Sequence, residues 1–221
     1  MKKSWFKYYK NHNGIALSNI LLHWPYLLRI VQLRPKKILE IGCGPTDHSV
    51  FLSYIKPKTK ISLLDNDKQI INSLGKKLSN KITKFHICNI TDKKDVLKQN
   101  FINNEFDLIY SQGLMEHFNK KDFQTVINNF LPYTQKILIS IPAENYPNRD
   151  FGNELLRNKK QLTEIMIPIK NIKFKINKYF PDIGLRTKII KMRKEKMNMV
   201  KSIFLLFFDS LHYLIEVSKK N

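Results

Sequence analysis

Along the first two thirds of the chain, short apolar runs bounded by turn residues alternate with longer stretches whose apolar residues recur at helical spacing. The short runs predict strands at 37–41 (KILEI), 60–64 (KISLL), 84–88 (KFHIC), 106–110 (FDLIY) and 136–141 (KILISI). The stretches between them predict helices at 49–54, 67–78, 93–99 and 121–133. Strand and helix repeated in this way imply an α/β fold with a mostly parallel sheet covered by helices on both faces. Beyond Pro142 the pattern changes. A loop rich in Asn and Pro (AENYPNRDFGNE) leads to a predicted helix at 154–166, then to two β-like runs at 185–192 and 213–217 separated by an apolar segment at 197–208. The expected total is seven strands.

Composition adds less than the pattern does. At 221 residues, 43% of them hydrophobic, the chain fits one compact domain. Its formal net charge of +21 raises the expectation of an anionic partner. However, the cations are 33 Lys against 6 Arg beside 21 Asn and 2 Ala, a bias expected from A/T-rich codons, and the lysines are scattered. Arg, which grips phosphates and bases by paired contacts, is the scarce cation, so nucleic acid is the less favoured partner. Cys43 and Cys88 show no metal-ligand spacing, and no metal is expected. The first residues lack the apolar run of a signal peptide, and the most apolar window, 199–217, is interrupted by Lys201, Asp209, His212 and Glu216, its unbroken core at 203–208 being too short to span a bilayer, so a cytoplasmic location is expected.

The most informative stretch is KILEIGCGPTDHS. An apolar strand delivers Glu40, then a turn on Gly42 and Gly44 opens a helix. Glycines there let a ligand approach the backbone, and the helix start offers unpaired N–H groups. A dinucleotide fingerprint places its third glycine at the sixth position, which is Asp47 here, so a pyrophosphate is disfavoured. No GxxxxGK[ST] run is present either. Glu40 suits a ligand with an ammonium group, such as S-adenosylmethionine.

These residues resemble the first motif, [DE]-x-G-x-G-x-G, of the class I S-adenosylmethionine-dependent methyltransferases, with Thr46 in place of the third glycine. The resemblance implies a Rossmann-like three-layer sandwich spanning 1–221 as a single domain: an N-terminal lid at 1–35, a cofactor-binding core at 36–142, and a substrate loop with C-terminal strands at 143–221. It implies that Glu40, Gly42, Cys43, Gly44 and Asn66 border the cofactor. Asp65, ending the second strand, would take the ribose hydroxyls, with Asp67 the better helix cap. Asn89 and Ile90 would meet the adenine, though a plain loop asparagine serves the sequence as well. Ser111, Gln112 and Gly113 would line the pocket under the methionine end. His117 titrates near neutrality and would act as a general base, or else fix its loop by hydrogen bonding. Tyr8, Tyr9 and His12 could form a lid or simply pack.

Methyl transfer from a sulfonium needs alignment and water exclusion rather than a metal or a covalent nucleophile. The expected acceptor is an oxygen or nitrogen nucleophile of a small-molecule or glycan-like compound, contacted from Tyr146, Arg149 and Glu154, the last of which could instead cap a helix. The alternatives are a lipid or quinone methyltransferase touching a membrane surface through 197–208, an RNA methyltransferase, and a non-catalytic cofactor-binding protein.

Overall fold

The structure, a computed structural model, describes residues 5, 9, 17–78, 80–147, 152–180, 185–207 and 209–220. Seven strands form one sheet: β1 (Lys37–Ile41), β2 (Lys60–Asp65), β3 (Lys84–Ile87), β4 (Leu108–Gln112), β5 (Lys136–Pro142), β6 (Ile172–Lys178) and β7 (His212–Lys219). Their order is β3-β2-β1-β4-β5-β7-β6. The first five run parallel, and β7 lies antiparallel between β5 and β6. Chain direction across the sheet reverses between β1 and β4, the place where a crevice opens beyond the carboxyl ends of the strands.

The helices are α1 (Leu17–Leu22), α2 (Trp24–Leu33), α3 (Asp47–Ile55), α4 (Lys68–Leu78), α5 (Lys93–Leu97), α6 (Lys120–Phe130), α7 (Lys159–Met166), α8 (Leu185–Lys194) and α9 (Met199–Phe207). Period-two alternation along the strands splits the core into two layers. Leu39, Ile41, Ile109, Ile137 and Ile139 pack against α5, α6 and α7 through Val96, Phe123, Ile127 and Leu162. Ile38, Leu63, Leu108, Tyr110 and Leu138 pack on the opposite face against α1 to α4 through Ile20, Tyr26, Leu27, Leu52 and Leu74. Arg29 of α2 grips Glu216 of β7 with two hydrogen bonds of 2.9 and 2.8 Å.

Four expectations need correction. The fourth strand begins at Leu108, because the Asp107 carboxylate accepts from the backbone N–H groups of Lys36 and Lys37, and Phe106 makes only an isolated bridge to Thr134. It therefore carries Ser111 and Gln112 within the strand. The 185–192 run is helix α8: Thr187, Ile189 and Ile190 imitate a strand, but Lys188 is buried and donates to the Leu206 carbonyl of α9 at 3.0 Å. β6 was not expected, although IKFKINK alternates, burying Ile172 and Ile176 and exposing Lys173 and Lys175. Finally, the 154–166 helix starts at Lys159. Asn158 and Gln161 form a reciprocal capping box there, while a bridge between Ala143 and Arg157 keeps the preceding chain extended. Among the described residues, no helix is long and apolar enough to cross a membrane.

Candidate active site

β1 ends in a turn strapped to its neighbour, with the N–H groups of Gly42 and Cys43 both donating to the Leu64 carbonyl at 2.8 and 3.1 Å. Gly42 is required twice over. Its φ is +65°, and a Cβ there would lie 2.5 Å from the Leu114 side chain. Gly44, at φ +47°, faces the Tyr9 ring, which a Cβ would meet at 3.3 Å. Thr46 also sits in the left-handed region, at φ +60°, a conformation strained for a β-branched residue. Its hydroxyl offsets part of that cost by donating to Glu40 Oε2 at 2.8 Å.

Glu40 is buried and also accepts from Ser49 at 2.5 Å, and Ser49 in turn bonds the Tyr110 hydroxyl. Burial, helped by Asp47 and opposed by the Ser49 and Thr46 bonds, raises its pKa to about 7. Asp65 accepts from Gly44 N at 3.1 Å and Asp67 N at 2.9 Å, yet burial still raises its pKa. Asp67 caps α4 by accepting from Gln69 N, so Asp65 is not needed there.

Two cavities meet at this turn. The larger, about 400 Å³, is bordered by Glu40, Cys43, Asp47, His48, Gln112, Glu116 and Glu154. The smaller, about 160 Å³, is bordered by Leu64, Asp65, Asn66, Cys88, Asn89, Ile90 and Leu114. Trp5, Tyr9, Gly42, Gly44, Gly113 and His117 belong to both. Trp5 stacks on Tyr9 with ring centroids 5.9 Å apart and meets His117 edge-on at 5.1 Å, forming a wall across the junction.

Residues 38–135 match the family model described as a methyltransferase domain. Those residues carry a methyltransferase domain. No curated protein matches it in sequence. The fold of this methyltransferase is shared by distant solved structures. The methyltransferase domain of bacterial CtHen1 is 13% identical with a TM-score of 0.62, covering 91% of this chain and 99% of that one. The plantazolicin methyltransferase BamL, solved with a triazolic desmethylPZN analog and SAH, is 14% identical with a TM-score of 0.63, covering 98% and 89%. A chain from the complex containing the Haloferax volcanii Trm112 methyltransferase activator is 8% identical with a TM-score of 0.69, covering 100% of both.

The methyltransferase brings most of the expected residues together. Glu40, Gly42, Cys43, Gly44, Gln112, Gly113 and His117 border the larger cavity, and Asp65, Asn66, Asn89 and Ile90 the smaller. Ser111 borders neither; it is fully buried beneath them, and its hydroxyl has no hydrogen-bond partner among the described residues. Asn89 Oδ1 accepts from both the N–H and the hydroxyl of Thr91, the bonding of a loop asparagine. His117 Nδ1 lies 2.8 Å from Asn153 Oδ1, which as placed puts the hydrogen on Nδ1 and the lone pair on Nε2, and burial lowers its pKa. The Cys43 and Cys88 thiols are pushed up by burial, the latter to about 12, which leaves both as unreactive lining. Tyr9 borders both cavities as a lid residue would, whereas Tyr146 packs edge-on to His212. Tyr8, His12 and Arg149 lie outside the described residues.

Sequence reasoning missed Trp5, Asp47, His48 and Glu116 as cavity residues. Glu116 carries the clearest signal in retrospect, an acid beside the expected His117 in LMEHF. It is buried, with its backbone carbonyl accepting from Leu155 N at 2.7 Å. Burial, reinforced by Glu154 and eased by Arg157, raises its pKa to about 8. Glu154 is no helix cap; its side chain accepts from Gly152 N at 2.8 Å at the edge of the same cavity.

Proposed function

We propose that the methyltransferase holds its cofactor astride the glycine turn and methylates an oxygen or nitrogen nucleophile of a small-molecule or glycan-like acceptor entering the larger cavity. The observation that carries this reading is the meeting of the two cavities at Gly42, Gly44 and Gly113. The residues fit the cofactor: a Cβ at Gly113 would project into space with only Glu116 Oε1 nearby, at 3.9 Å, so the glycine leaves room for a ligand. Asp65 would accept the ribose hydroxyls, Ile90 and Cys88 would wall the adenine with Asn89 at its edge, and Glu40, Cys43, Gln112 and Gly113 would border the methionine end. Asn66 would flank the ribose.

Bound there, S-adenosylmethionine supplies an electrophilic methyl group on a sulfonium that departs as a neutral thioether. The protein then has to align the nucleophile within about 3–3.5 Å of that carbon and keep water out, which can supply roughly 7–11 kcal/mol. Trp5 and Tyr9 close the junction. His117, kept neutral by burial and with its ring fixed by Asn153, would take the proton of a hydroxyl acceptor. Titration with S-adenosylhomocysteine tests the reading: the intact protein should bind it, and Asp65→Ala should lose about 10- to 100-fold through the missing charge-assisted bonds. Unchanged affinity in the variant would remove the assigned ribose site.

The exposed face of α9, with Met199, Val200, Ile203 and Phe204 near Lys194, Lys196 and Lys201, favours a second reading in which the acceptor is a lipid at a membrane surface. Under it the protein should sediment with anionic phosphatidylglycerol vesicles and Val200→Glu should stay in the supernatant. Intact protein left in the supernatant eliminates this reading.

A further inference from the structure

The charge of the larger cavity opposes that of the molecule. In a chain with a formal net charge of +21, four of its 18 acids, Glu40, Asp47, Glu116 and Glu154, border this one space. Among the described residues no Lys or Arg borders it, and His48 is held neutral there by burial, its pKa lowered to about 4. Glu40 and Asp47 already have partners, in Thr46 and Ser49 and in Asn19. Glu116 differs. It is only 4% exposed, and its Oε2 has no hydrogen-bond partner among the described residues. The nearby Arg157 does not neutralise it in an ion pair; Nη2 of that guanidinium donates to the Phe118 carbonyl, and the group lies 6.0 Å from the centre of the Phe123 ring.

A buried carboxyl oxygen without a partner costs of the order of 1–3 kcal/mol or more, and because Glu116 borders the cavity, a rotation of its carboxyl would let a donor seated there relieve that cost. Trp5 and Tyr9 border the same cavity, and aromatic rings attract cations. Acidic and aromatic side chains around one space suit an ammonium group. The raised pKa of Glu116 agrees with this, since a cation seated beside it restores the carboxylate form.

We propose that the acceptor is a primary or secondary amine, bound as its ammonium between Glu116 and Glu154 and the Trp5–Tyr9 wall, and that Glu116 takes its proton. This inference rests on the cofactor reading above. The ammonium gives one proton to the Glu116 carboxylate; the freed nitrogen lone pair forms the new N–C bond as the C–S bonding pair leaves with sulfur. The products are the methylated ammonium, the thioether and a protonated Glu116, which returns its proton to water.

The test uses the protein saturated with S-adenosylhomocysteine and three probes of one shape: benzylamine, benzyl alcohol and benzoate. Benzylamine should bind at least tenfold more tightly than the other two. Glu116→Gln should erase that preference and Glu154→Gln should reduce it, while both variants keep their affinity for S-adenosylhomocysteine within about twofold and their melting cooperativity. Equal binding of the three probes, no binding of benzylamine, or variants that weaken S-adenosylhomocysteine while sparing the amine would overturn the assignment. If the intact protein takes up no S-adenosylhomocysteine at all, the cofactor reading itself fails. If the cofactor product binds and the amine is not preferred, only the acceptor class is lost.

Discussion

The two cavities share one backbone turn and are built from opposite materials. The smaller is walled by Leu64, Ile70, Cys88, Ile90, Leu114 and Phe118, with Asp65 as its buried carboxylate; the larger gathers four carboxylates, His48 and Asn19. Most of the smaller cavity comes from strand ends and the segments that follow them directly. The larger recruits Trp5, Asn19, Glu116 and Glu154 from segments far apart in the chain. A crevice for an adenosine needs a close backbone approach, apolar walls and an acid for two hydroxyls, all of which a parallel sheet offers where its order reverses. Choosing an acceptor requires side chains of the right charge, and those come from loops and helices that the sheet merely anchors.

Gly42→Val should break both sides at once and gives the largest effect. The new side chain meets Leu114 and demands a positive φ from a β-branched residue, so S-adenosylhomocysteine binding should fall at least 100-fold and the melting temperature should drop. Adding Leu114→Ala should restore part of the stability by removing the clash while the backbone strain remains. Cofactor binding unaffected by Gly42→Val would show that the turn does not touch the ligand.

A pH series sharpens the contrast from the larger side. Glu116 has a folded pKa of about 8, above its ordinary carboxyl value, so the folded protein keeps a proton there that the unfolded chain releases. The stability from that proton is complete below the ordinary value and is lost as pH rises through about 8; Glu40, at about 7, adds in the same direction. Glu116→Gln cannot ionise, so its melting temperature should gain on the parent's by several degrees between about pH 6 and pH 9. An advantage that shrinks with rising pH would contradict the burial of this carboxyl.

The smallest effect belongs to Thr46→Gly. Glycine relieves the left-handed strain but removes a donor from Glu40, so stability should change by less than about 1 kcal/mol and S-adenosylhomocysteine affinity by less than about fivefold. A larger loss would mean that the hydroxyl itself contacts the cofactor.

Much of the sheet was legible because its parallel strands are fully buried apolar runs punctuated by turns; β1 was read to the residue. The C-terminal third was harder. Lys188 of α8 is buried by its contact with α9, and the β-branched residues around it carry strand propensity that tertiary packing overrides. β6 was written plainly in the alternation of Ile172, Phe174 and Ile176 but sits among lysines that disguise it as a surface loop. Glu154 looked equally able to cap a helix until Asn158 was seen to do so.

Local pattern by itself determined the alternation of elements, the turn at Gly42 and Gly44, and the acid ending β2, because period, glycine placement and apolar runs act over a few residues. Only the tertiary structure decided that Glu116 lies buried beside Glu154, that Trp5 and Tyr9 reach the glycine turn, and that a strongly cationic chain encloses an acidic space. Burial and electrostatic neighbourhood are properties of chains folded together, and no short window of sequence contains them.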